Sequence, residues 1–268
     1  MFVVISMIIS VGILGLMFWL ARQRESGLKH KYALLSDLRQ VLYTCRQHRH
    51  ITHMALMSGE IRRTESAPLS DLLIKKSQHL ITIARSDNKP MYRVLQMKLR
   101  GLIKNWPDYS VARNQMVHGK AIRHCMFLMD EIILSWLVEV NREDLTTEYH
   151  MNWQQIVDAM DALTQLRICI QDMEKEDGKI RIQHSADMVC RKINQLAVIS
   201  PLSVAAPDCV RSLQQLEKIS QGEEYQLDAE AMYQLTADVS LNISHVYDQM
   251  LGELTESLYV PLPKSLPA

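Results

Sequence analysis

The sequence predicts an all-α protein on three observations. Apolar residues recur at helical spacing in block after block, only nine glycines interrupt 268 residues, and no block reads as a strand. Ahead of those blocks stands an unbroken apolar run, Phe2 to Ala21, with no charged side chain. At 1.5 Å of rise per residue, about twenty residues cross a hydrocarbon layer of roughly 30 Å. The run is therefore expected to be a transmembrane helix that stays attached, because a cleaved signal peptide carries its positive charges before the apolar segment. Here the cations follow it, as Arg22, Arg24, Lys29 and Lys31. By the positive-inside rule they place residues 22–268 in the cytoplasm of a single-pass inner or plasma membrane protein.

Beyond the anchor, helical periodicity marks blocks near 28–59, 68–86, 90–105, 110–141, 149–176, 179–199, 207–220 and 227–258. The breaks between them carry turn chemistry: Ser58-Gly59, Ser66-Ala67-Pro68, Asp87-Asn88-Lys89-Pro90, Trp106-Pro107-Asp108, Asp177-Gly178, Ser200-Pro201 and Gln221-Gly222. The first block starts only a few residues past the anchor, so the two can form one rod. The expected organisation is an anchor at 1–21 and a helical bundle over 22–199. Helices at 200–260 then either complete that bundle or form a second one, with 200–208 as the linker. At 261–268, PLPKSLPA has three prolines in eight residues and reads as a disordered tail.

Composition removes several functions. Thirty basic and thirty acidic side chains cancel, so there is no electrostatic footprint for nucleic acid, and lipid contact falls to residues 2–21. Cys45, Cys125, Cys169, Cys190 and Cys209 are odd in number and without a C-x-x-C pair, as expected of reduced core thiols. No zincin, nucleophile-elbow, dinucleotide or phosphate-loop motif is present, and the expectation is a protein that is not an enzyme and needs no cofactor. The stretch from His48 to His53 suggests a metal at first sight. On a helix only His50 and His53 share a face, and two ligands fall short of a site.

Buried donors are the more informative signal. On the 28–59 helix, Leu34, Leu38, Val41, Leu42, Cys45, Thr52 and Leu56 form one stripe, with Arg49 near its centre. On 149–176, Tyr149, Ile156, Met160, Leu163 and Ile170 do the same around Arg167. His118 sits among Val111, Ile122, Cys125, Met129, Ile132 and Trp136 on 110–141. A buried guanidinium needs a carboxylate, a carbonyl, water or an anion, and its planar fork suits an oxyanion. Asp37, Asp130 and Asp161 lie towards the edges of their stripes, so a bound anion joins internal ion pairing as an open alternative.

The segment from Cys45 to Glu60, CRQHRHITHMALMSGE, resembles the signature helix of nitrate/nitrite-sensing (NIT) domains, with a Gln–x–Arg element, small and apolar residues, and a Ser-Gly-Glu turn. Trp106, the Asn114-to-His118 segment and Leu163 to Arg167 are similar to later elements of that family, in order. The family usually has Gly where His50 stands, and nothing after residue 200 looks like the output domains that many members carry. The resemblance implies an all-helical sensor in which Arg49 and Arg167, with His118 as a third donor, hold nitrate or nitrite. A separate protein partner or a homodimer would then carry the signal. The competing expectation is a membrane-tethered helical scaffold whose ligand site has decayed into a polar core.

Overall fold

A computed structural model describes residues 2–60, 63–175, 177–223, 228–260 and 262. Among them the chain is helical without a strand. The elements are α1 (Phe2–Ser58), α2 (Arg63–Ile83), α3 (Lys89–Asn105), α4 (Val111–Glu139), α5 (Thr146–Gln171), α6 (Gly178–Gln195), the short α7 (Pro201–Val204), α8 (Pro207–Ser220) and α9 (Ala229–Leu258). Single 3₁₀ turns sit at Trp106–Asp108, Glu143–Leu145 and Leu196–Val198. The tail expected at 261–268 lies outside the described residues except for residue 262.

The apolar run and the block that follows it are one helix. α1 runs unbroken for 57 residues, about 85 Å. Its start is long and apolar enough to cross a membrane, and residues such as Ile8, Leu14 and Phe18 are exposed there. It stops at Gly59, whose φ of +70° lies in the left-handed region that reverses a helix end. α2 begins five residues before the expected start, so the Ser66-Ala67-Pro68 break falls inside the helix, and Pro68 has no amide to offer the Thr64 carbonyl one turn back. Ser110 caps α4 by accepting from the Arg113 amide, and Asp228 caps α9 by accepting from the Ala231 amide. Asn141, with φ +56°, ends α4, and the Arg142 amide reaches back to the Leu137 carbonyl (2.9 Å).

Two antiparallel four-helix bundles result. The C-terminal half of α1 packs with α2, α3 and α4, while α5, α6, α8 and α9 form the second bundle. Leu35, Leu38, Leu73, Leu95, Leu99 and Met126 are sealed in the core of the first, and Ile156, Ala186, Val189, Leu216 and Val239 in that of the second. Ion pairs fix the register within bundles: Lys31 with Glu139, Lys76 and His79 with Asp37, and Lys192 with Asp158. Between bundles, Arg123 pairs with Asp161 and Arg39 with Asp248 (3.0 Å). α1, α4, α5 and α9 therefore share a seam, and α1 meets α9 there through long side chains.

Three glycines separate turn geometry from helix propensity. A Cβ at Gly178 would drive into the backbone carbonyls of Asp172 and Met173, whereas one at Gly101 or Gly119 meets open space. Gly178→Ala should lower the denaturant midpoint by the equivalent of about 1–3 kcal/mol. Gly101→Ala and Gly119→Ala should each raise it by roughly 0.5–1 kcal/mol. Equal effects at all three positions in urea titrations would contradict the packing around the α5–α6 turn.

Candidate functional site

The seam between the bundles is cationic. Arg49 (7% exposed, α1) and Arg167 (9%, α5) are both buried against α9. Arg49 donates from Nη2 to the Ser240 hydroxyl (3.1 Å). Arg167 donates from Nε to the Thr236 hydroxyl (3.1 Å) and from Nη2 to the Thr236 carbonyl (2.8 Å). Thr236 and Ser240 are one helical turn apart, so the two guanidiniums address adjacent points on one face of α9. Among the described residues neither arginine forms an ion pair with a carboxylate. Arg46 joins them, half-buried, with an Nε that is sealed from solvent and has no hydrogen-bond partner.

Electrostatics register the crowding. Burial pulls Arg46 and Arg49 down to about 10, and for Arg46 the neighbouring Arg49 charge adds to the fall. Burial, then Arg49 and Arg46, hold Arg167 well below its ordinary value. Arg46 and Arg49, at about 10, remain charged at neutral pH. Asp248 partly offsets Arg46, but its carboxylate is already bonded to Arg39. Hydroxyls and a carbonyl satisfy individual N–H groups without cancelling the charge, and an uncompensated buried ion costs several kcal/mol. The arrangement sets guanidinium donors from α1 and α5 against one face of α9.

His118 is placed differently from the expectation that it supplies a third donor. It is fully buried on α4, and both ring nitrogens are engaged: Nδ1 lies 2.9 Å from the Asn114 carbonyl and Nε2 lies 2.9 Å from His48 Nδ1. A carbonyl only accepts, so Nδ1 of His118 holds its proton and, in a neutral ring, Nε2 accepts from His48. His48 Nε2 then faces the Ser70 hydroxyl, 3.2 Å away, which has a single proton to share between this nitrogen and the Ser66 carbonyl. Asn114 donates to Thr52 (3.0 Å) and Trp106 packs edge-on against His48. This chain ties α1 to α2 and α4 behind Arg49. It does not bring His118 to the arginine pair.

The imidazole beside the arginines is His53, which the sequence offered only as half of an inadequate metal pair. Its two ring nitrogens are sealed and unpartnered, and its ring packs against Tyr233 of α9 at 4.6 Å. Burial first, and then His50, Arg167 and Arg49, bring it down to about 4. His50, at the position where the resembled family has Gly, is exposed and leaves the seam clear. Thr236 and Ser240 were not singled out either. Their signal was available as a buried hydroxyl stripe, Thr236, Ser240 and Ser244, at i, i+4, i+8 on α9.

The chain matches no protein-family model, no curated protein and no solved structure.

Burial depresses His48 to about 4 and His118 well below 6.5, so the folded protein resists protonation that the unfolded chain accepts from pH 6.5 downward. The unfolded state binds more protons across that window, and stability falls as pH drops from about 6.5 towards 4. A ring shifted this far contributes on the order of 3 kcal/mol to the loss. His48→Gln should flatten the slope by close to one proton. Circular-dichroism melts at stepped pH read it, and an unchanged slope would show that His48 protonates freely in the fold.

Proposed function

We propose that the protein is a membrane-anchored sensory module that binds a small oxyanion between α1, α5 and α9, with Arg49 and Arg167 as the binding groups. One observation carries this reading: two guanidiniums buried against α9 at residues one helical turn apart, with no carboxylate bonded to either among the described residues. A fold that maintains several kcal/mol of unmet charge in one layer gains most from an anion entering it. The flat fork of each arginine fits a planar oxyanion, and His53 supplies a further donor at the rim. Nitrate or nitrite is the ligand to try first, on the resemblance of the Cys45–Glu60 segment to nitrate/nitrite-sensing domains. The other segments that carry the resemblance lie in the same layer: Trp106, Asn114 and His118 behind Arg49, and Arg167 across from it.

Melting the purified full chain in increasing nitrate or nitrite tests the site. At a hundredfold excess over Kd, mass action adds about 2.7 kcal/mol. That should raise Tm by roughly 5–10 °C for a chain of this size. Arg49→Met should abolish the response while melting no lower than wild type in anion-free buffer, because it removes an uncompensated charge. A wild-type curve indifferent to both anions, or an Arg49→Met chain that loses several kcal/mol of stability, would favour the scaffold reading instead.

The same proposal places residues 22–268 in the cytoplasm, from the cations that follow the apolar run and their absence before it. Green fluorescent protein fused after Ala268 should fluoresce, and alkaline phosphatase fused there should be inactive. The reverse pattern would invert the orientation.

A further inference from the structure

We propose that a groove at the membrane edge of α1 holds the phosphodiester headgroup of an anionic phospholipid; this rests on reading residues 2–21 as a membrane span. The groove encloses about 550 Å³, far more than the roughly 30 Å³ share of a single water. Trp19, Arg22, Ser26 and His30 line it from one face of α1, at i, i+3, i+7 and i+11, and Arg85 closes it from the turn between α2 and α3.

Height and charge together select the ligand. Arg22 directly follows the apolar run, and Ser26 stands about 7 Å beyond Ala21 along the helix. The headgroup layer is roughly 5–8 Å deep on each side of a bilayer, so this part of the groove lies within it. Trp19 sits where interfacial tryptophans anchor a span. The neighbouring cations are spent, Lys29 on Glu25 and Lys31 on Glu139. Arg22 and Arg85 form no ion pair among the described residues, and they face the same space from two elements. His30 contributes an Nε2 that is sealed from bulk solvent and lacks a hydrogen-bond partner. Two arginines flanking an open slot accept the non-bridging oxygens of a phosphodiester, while the Trp19 end continues into the bilayer where acyl chains lie. A soluble anion would make no use of that apolar end.

The test uses the full chain in nanodiscs of phosphatidylcholine mixed with phosphatidylglycerol, released into mild detergent and weighed by native mass spectrometry. The wild type should retain phosphatidylglycerol in preference to phosphatidylcholine. Arg22→Ala/Arg85→Ala should weaken retention about fivefold per cation, so roughly thirtyfold in all. Arg24→Ala/Lys89→Ala removes the same charge from the same flank without touching the groove, and should change retention little. Equal losses in both pairs would mean a diffuse surface field, and equal retention of the two lipids would mean no headgroup selection. Displacement of the lipid by inorganic phosphate would assign the groove to a soluble anion, and each of these outcomes overturns the proposal. Alkaline carbonate extraction of native membranes separates the two levels. Release of the protein overturns the span and the groove together, whereas a protein that stays in the membrane yet retains no phosphatidylglycerol overturns the groove alone.

Discussion

Arg49 and Arg167 occupy the line along which two four-helix bundles meet, and their charge sets what the neighbouring elements can be. A guanidinium is long and needs donors satisfied around a plane, so α1 and α9 stand off from each other and touch through side chains. α9 accordingly presents small hydroxyl residues at this level, Thr236 and Ser240, where its other turns present Val239, Ile243 and Val246. Had leucines filled the layer, the seam would be an ordinary apolar interface and more stable, since apolar replacement of buried charge is commonly neutral or favourable.

The polar chain behind Arg49 gives that layer its rigidity. Ser70, His48, His118 and Asn114 pass hydrogen bonds from α2 through α1 to α4, with Thr52 and Trp106 closing the sides. Two neutral imidazoles fit because burial keeps both unprotonated. A ring nitrogen that already has a partner holds its helix in place. The open donor capacity at the seam belongs to His53 and Arg46, whose sealed nitrogens have none.

α1 links the two ends of the molecule. From Trp19 near the end of the apolar run to Arg49 at the seam it is one continuous helix, 30 residues and about 45 Å long. Lys31, clamped to Glu139 and the Ser135 carbonyl, fixes its lower part to α4, and Thr52 bonded to Asn114 fixes the upper part to the same helix. α1 and α4 are therefore held together at both levels, so the stretch of α1 between them is stiffened by a second helix.

The helices, their approximate ends and the burial of Arg49 and Arg167 were legible in the sequence. Each depends on a 3.6-residue period that repeats within a single segment. Ser58-Gly59 announced a stop for the same reason, since caps are built from neighbours a few residues away. The partners of those buried groups were decided by tertiary structure alone. His118 looks like a free donor on a helical wheel, and only the arrival of His48 from 70 residues away consumes its second nitrogen. Arg167 finds Thr236 69 residues on, and Arg49 finds Ser240 191 residues on. Periodicity states that a side chain faces inward, whereas what it meets there depends on how whole helices pack.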